Sequence, residues 1–152
     1  MRKFYFDMDG TIADLYSENE WLNKLLSETK GLFRNLKVMH DKNRLAAIIE
    51  NLQEMGCEVG IITWTPKNVS EDYLKIVENE KIEWVKEHFP MINEIYVLNY
   101  GTPKQKANFK KGKEIFLIDD NEDVLKMWET PKQRKIIKAD ENLIEKLQAL
   151  VY

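Results

Sequence analysis

Phe6-Asp7-Met8-Asp9-Gly10-Thr11 joins an apolar run to two acids and a glycine. The run before it, from Lys3, reads as a first strand ending at Asp7. An ordinary acidic turn accounts for Asp9-Gly10, but not for Asp7. A carboxylate at the end of a buried strand is costly unless something partners it. Gly10 permits a tight turn or the close approach of backbone to a ligand.

Working outward, short apolar runs alternate with amphipathic stretches, which signals an α/β domain with a parallel sheet. Cys57 to Thr63 reads as the second strand, and its Val59-Gly60-Ile61-Ile62 core is apolar on both faces, as buried parallel strands are. Glu94 to Leu98 is the third strand. Glu114 to Ile118 is the fourth and enters Asp119-Asp120, and Lys135 to Lys138 is a fifth, edge strand.

Helices fill the intervals. Ser17 and Glu20 have capping-box spacing, Tyr16 and Trp21 fall at the staple positions, and Leu22, Leu25 and Leu26 continue an apolar stripe toward Gly31. A second helix from Asn43 carries Leu45, Ile48, Ile49, Leu52 and Met55. Ser70 caps a third, which runs to His88 with a break expected near Asn79. A short helix holds Val124, Leu125 and Trp128, and the last follows Asp140. In such sheets ligands bind beyond the carboxyl ends of the strands. Asp7, Asp9, Thr63, Asp119 and Asp120 all sit there.

The 152 residues are one domain's worth, and 43% hydrophobic with 32% charged residues describes a soluble globular chain. A net charge of -3 argues against a general nucleic-acid binder. Apolar runs reach only about five residues, too short to span a membrane. The single cysteine, Cys57, can form no internal disulfide and fits a core thiol. A cytoplasmic protein is expected. His40 and His88 belong to no metal-ligand pattern and are expected at helix ends or on the surface.

Four carboxylates at two strand ends would repel one another in a partly buried cleft, and a bound hard cation is the usual remedy. Oxygen-only donors select a hard ion, and Mg²⁺ with one or two carboxylates, waters and a substrate phosphate is the common case. A helix N-cap before Asn121 would explain Asp119-Asp120 alone, but not their pairing with Asp7 and Asp9.

The whole set resembles the haloacid dehalogenase superfamily. Phe6 to Thr11 resembles its first motif, Ile61-Ile62-Thr63 its second, and Phe116-Leu117-Ile118-Asp119-Asp120 its fourth. Lys104, in Gly101-Thr102-Pro103-Lys104, is the choice for the third-motif lysine, with Lys106 as runner-up. The resemblance implies a three-layer, Rossmann-like core with a mainly parallel five-stranded sheet. It also implies a Mg²⁺-dependent phosphomonoester hydrolase with Asp7 as nucleophile and Asp9 as acid and base. Mg²⁺ would be held by Asp7, the main-chain carbonyl of Asp9 and Asp120, with Asp119 behind. Thr63, Lys104, Thr11 and the backbone around Met8 and Asp9 would hold the phosphoryl group.

Specificity in this superfamily is commonly set by cap insertions. Here only residues 14–40 are left for one, so a single domain over 1–152 with a minimal cap and an open cleft is expected. Thr65-Pro66 and the stretch from Glu80 to Pro90 resemble the 5'(3')-deoxyribonucleotidase group, although this cap region is much shorter. Nucleoside monophosphates are the first substrate expected. Trp64, next to Thr63 at the cleft, is the best candidate to stack on a base; Tyr16, Trp21 and Phe33 are others. The alternatives are a polynucleotide 3'-phosphatase, suggested by the basic stretch from Lys104 to Lys113, another small-phosphate phosphatase, and a catalytically silent domain binding metal or a partner.

Overall fold

The computed structural model describes residues 1–107, 114–128 and 134–151. Five strands form one sheet: β1 (Arg2–Phe6), β2 (Glu58–Trp64), β3 (Glu94–Leu98), β4 (Glu114–Asp119) and β5 (Arg134–Lys138). Their order is β3-β2-β1-β4-β5 and every pairing is parallel. Among the described residues five α-helices pack with them: α1 (Trp21–Leu26), α2 (Lys42–Glu54), α3 (Glu71–His88), α4 (Glu122–Trp128) and α5 (Leu143–Val151).

Alternation along the strands sorts side chains onto two faces. Phe4, Phe6, Ile61 and Ile118 join a large core with the apolar stripes of α2, α3 and α5. Tyr5, Ile62 and Leu117 point the other way, into a smaller core with Val124, Leu125 and Trp128 of α4. The result is the three-layer, Rossmann-like arrangement expected, with an all-parallel sheet. Trp84 and Trp128 are both fully buried. Among the described residues no helix is long and apolar enough to cross a membrane.

The strand order creates a crevice at one edge of the sheet. From central β1 the chain builds β2 and β3 to one side, then crosses to build β4 and β5 on the other. The switch falls between β1 and β4, which pair in register from Arg2–Glu114 to Phe6–Ile118. A crevice at such a switch point is where open α/β sheets bind ligands.

Two local expectations need correction. The capping box of Ser17 and Glu20 does not form. Glu20 instead takes a left-handed conformation, φ 52°, and makes no side-chain cap bond, so α1 starts only at Trp21. None of its six residues is fully buried, although Trp21 and Leu25 pack against the large core. Finally, α3 runs unbroken through Asn79, with Ser70 accepting from the Tyr73 N–H as its cap. Of the basic stretch from Lys104, residues 108–113 lie outside the described residues.

Candidate active site

The ends of β1 and β4 bring their acids together. The Asp7 N–H still bonds the Ile118 carbonyl at 2.9 Å, which fixes the two strand ends side by side. The chain then turns sharply. The Met8 carbonyl accepts from the N–H groups of Thr11, Ile12 and Ala13, and Gly10 adopts φ +79°. A Cβ at Gly10 would lie 2.7 Å from the Tyr16 ring and 2.9 Å from Asp120 Cγ. Only glycine allows this turn to close on Asp120. His40 braces the turn from outside, with Nε2 3.0 Å from the Thr11 carbonyl, and His88 ends α3.

Asp7, Asp119 and Asp120 each offer an oxygen, and these lie within 4.8 Å of one another. Thr11 is fully buried between them, its hydroxyl 3.4 Å from both Asp7 Oδ2 and Asp120 Oδ1. Lys104 stands in a 3₁₀ turn, Lys104–Lys106. Its ammonium donates to Asp7 Oδ1 and Asp119 Oδ2, both at 2.7 Å. Of the two lysines considered for this position, Lys104 is the one that reaches the acids. Asp119 also accepts from the Asn121 N–H at 3.0 Å. Asp120 has no salt-bridge partner among the described residues and lines the open cleft.

A second buried lysine went unread in the sequence. Lys81 of α3 is fully buried. Its ammonium donates to Asp9 Oδ2 at 2.9 Å, to Thr63 Oγ1 at 2.9 Å and to the Trp64 carbonyl at 2.7 Å, which uses all three of its protons. The Phe33 ring lies beneath it, 5.1 Å away, so Phe33 is packed under the site and not free to stack on a ligand. The signal was present in the helix pattern: Val77, Lys81 and Val85 share one face, and their neighbours Tyr73 and Trp84 are core residues. A lysine on the core stripe requires a buried partner. Thr63 itself is fully buried beneath Lys81, and the cleft wall at that strand end is formed by Trp64 and Thr65.

The electrostatics follow from this crowding. Burial raises the Asp9 pKa, with Lys81 opposing and Asp7 reinforcing the shift. Burial and Asp7 raise that of Asp119 against the pull of Lys104. Burial, with Asp7 and Asp119 nearby, pushes Asp120 up to about 7. Burial alone would lower Lys104, but its pairing with Asp7 and Asp119 outweighs that, and its pKa is raised. Four carboxylates thus face two lysines, and full ionisation leaves two negative charges unmatched. One Asp9 oxygen, Oδ1, is buried with no hydrogen-bond partner among the described residues. A hard dication with oxygen ligands fits this donor set in both charge and chemistry.

The cleft above the acids has a volume of about 360 Å³. Trp64 is fixed in its wall by an indole N–H bond to the Thr102 carbonyl at 2.7 Å. Its ring centroid lies 5.6 Å from the Lys104 ammonium and 5.1 Å from the Tyr100 ring. Tyr16 and Trp21 pack edge to face at 5.1 Å, so the expected contact between them forms although the capping box does not. Both also line the cleft.

No family model and no curated protein sequence matches the chain. Solved structures do. A D,D-heptose 1,7-bisphosphate phosphatase from Burkholderia thailandensis aligns over 99% of this chain and 98% of its own, with a TM-score of 0.51 and 10% identity. The D,D-heptose 1,7-bisphosphate phosphatase from B. bronchiseptica, complexed with magnesium and phosphate, aligns over 99% of both chains, with a TM-score of 0.52 and 9% identity. Likeness at this identity concerns the fold: the chain has the α/β fold of these phosphatases, as the resemblance to the haloacid dehalogenase superfamily implied.

Proposed function

We propose that this chain is a Mg²⁺-dependent phosphomonoester hydrolase that works through an aspartyl-phosphate at Asp7. One observation carries the reading: Asp7, Asp119, Asp120 and Lys104 converge at the switch point of the sheet. That a fold neighbour is a phosphatase with magnesium and phosphate bound supports it.

In this reading Asp7, the Asp9 carbonyl and Asp120 would hold the metal. Asp119, tied to Lys104, stands behind them and orients the lysine. Bound there, Mg²⁺ supplies the positive charge that lets an anionic nucleophile approach an anionic phosphate. An Asp7 oxygen attacks phosphorus while the bond to the leaving oxygen breaks. Asp9 gives that oxygen its proton, a task suited to a carboxyl whose pKa burial has raised. Water then attacks phosphorus, Asp9 takes a proton from it, and the bond from phosphorus to Asp7 breaks to release phosphate. Lys104, Thr11 and the backbone N–H groups of Met8 and Asp9 are assigned to the phosphoryl oxygens and the charge on Asp7; Thr63, expected there from the sequence, is buried away from the cleft wall and holds Lys81 instead. Lys81 joins this set through Asp9.

Residues 14–40 are read as a minimal cap on a single domain. Nucleoside monophosphates are the first substrates proposed, because the immobilised Trp64 ring borders the acids and can stack on a base. The unpaired, buried Cys57 suits a reducing, cytoplasmic setting.

The test is phosphate release from p-nitrophenyl phosphate, nucleoside monophosphates and 3'-phosphorylated oligonucleotides, with Mg²⁺ and with chelator. Mg²⁺-dependent release is expected, fastest with nucleoside monophosphates. No release from any ester would favour a silent metal- or partner-binding domain. Release mainly from the oligonucleotides would move the substrate to nucleic-acid ends.

A further inference from the structure

The six residues of α1 read Trp-Leu-Asn-Lys-Leu-Leu, and none is buried. Leu22 is 51% exposed and Leu26 is 68% exposed. Leaving such side chains in water forfeits the stabilisation that drives the rest of this fold. By contrast, α2 buries Leu45, Ile48, Ile49 and Leu52. The apolar side of α1 is therefore only half packed: Trp21 and Leu25 touch the main core, and Leu22 and Leu26 are displayed.

What it displays this side to is the cleft. Trp21, Leu22, Leu25 and Leu26 line the same cavity as Asp7 and Asp120. The helix is held at both ends. Glu20 and Glu28, which flank it, take left-handed conformations at φ 52° and 51°, each costing roughly 1 kcal/mol or more for a side-chain-bearing residue. Glu28 accepts from the Ser70 N–H at 3.1 Å and from the Ser70 hydroxyl, which ties the end of α1 to the start of α3. Lys24 pairs with Glu18 at 3.0 Å. Among the described residues the cleft is also short of cations for a second anionic group. Lys104 is taken by Asp7 and Asp119, which leaves Lys67, set over the Tyr100 ring at 5.2 Å.

Resting on the phosphatase reading, we propose that the α1 wall, with Leu22 and Leu26 as its specificity-determining residues, selects monophosphate esters whose leaving group carries a flat ring that can lie on leucine side chains. The base of a nucleoside and a simple aryl group both present such a ring. A leaving group that offers only hydroxyls, or a second phosphate, does not, because it would have to desolvate against leucines and would find few partners. The wall acts on binding, not on the chemical step. Its continuity with the carboxylate cleft makes the substrate its occupant.

The experiment compares wild type, Leu22→Ser/Leu26→Ser and Leu22→Met/Leu26→Met on 1-naphthyl phosphate, a nucleoside monophosphate and glycerol 1-phosphate. Both leucines are more than half exposed, so the variants keep the fold. The serine variant is expected to raise KM for naphthyl phosphate about tenfold, the low end for losing apolar pocket contacts. It should leave kcat and glycerol phosphate turnover unchanged, and the methionine variant should behave as wild type. A parallel KM rise for the nucleotide assigns the base to this wall; a rise for naphthyl phosphate alone assigns the aryl group. An unchanged KM for both flat esters overturns the proposal while leaving the phosphatase reading intact. So does a serine variant that only converts a dimer into a monomer, since the wall would then be covered by a second copy. Wild-type protein without turnover of any of the three esters overturns the phosphatase reading and the proposal with it.

Discussion

Lys81 and Gly10 show two ways in which a single residue holds this site. Lys81 brings one positive charge to Asp9, Thr63 and the Trp64 carbonyl at once. Removing one partner of a buried ion pair commonly costs about 3–5 kcal/mol. Asp9, already raised in pKa, can soften that loss by taking up a proton. Lys81→Met should therefore lose about 3 kcal/mol in urea unfolding, and its kcat should fall further than its KM rises. A variant with wild-type stability would show that the pair contributes nothing. Gly10 acts through shape. Gly10→Ala forces a left-handed alanine, at roughly 1–2 kcal/mol, and drives its methyl against Asp120 and Tyr16. At least a tenfold rise in the Mg²⁺ concentration needed for half-maximal activity is expected, because Asp120 must move. Asp7, Asp9, Asp119, Asp120 and Lys104 were legible because each acid ends an apolar run and the lysine precedes one. Lys81 was not, because a lysine in a charged helix reads as solvated until its place on the stripe of Val77 and Val85 is noticed.

At the scale of elements, long amphipathic segments were legible and short ones were not. α2 and α3 bury several apolar residues each at helical spacing, and that pattern survives any tertiary context. Their caps are local as well. The Asp41 carboxylate accepts from the Arg44 N–H at 3.1 Å, so Asp41→Ala should cost about 1 kcal/mol in thermal or urea unfolding. An unchanged midpoint would show that α2 needs no cap. α1 failed as a sequence reading for a physical reason. Six residues make fewer than two turns, so position is set by tertiary anchors. Here the anchors are Tyr16 against Trp21 and Glu28 against Ser70. The Ser17–Glu20 spacing was correct for a capping box, but the left-handed Glu20 left the box no helix to cap.

The molecule as a whole places uncompensated negative charge at the crossover of a parallel sheet, and its stability should register this. Asp9, Asp119 and Asp120 have raised pKa values, Asp120 up to about 7. The folded chain therefore binds more protons than the unfolded chain between the ordinary carboxylate range, about 4, and those raised values. Stability must fall as pH rises through that window. Glu87 and Asp140 are lowered, by Arg34 and by Lys146, so their contributions are lost only below the ordinary range and do not interfere. His88 is lowered by burial and by Lys42 and works in the opposite sense, so the test belongs in a His88→Gln background. In chelator, Tm should drop by at least about 2 °C from pH 5 to pH 7.5. Mg²⁺ should restore more at pH 7.5 than at pH 5, since it binds the ionised acids. A flat profile indifferent to Mg²⁺ would contradict the cluster as a metal site.

Phosphorylation of Asp7 is the step on which the mechanism rests. An acyl phosphate is reduced by borohydride, which would turn Asp7 into homoserine, and peptide mass spectrometry reads that change directly. With p-nitrophenyl phosphate and Mg²⁺, homoserine should appear at position 7 and nowhere else, should vanish with chelator, and should be absent from an Asp7→Asn variant that has also lost turnover. Sustained phosphate release with no modification at Asp7, or full turnover by Asp7→Asn, would contradict it.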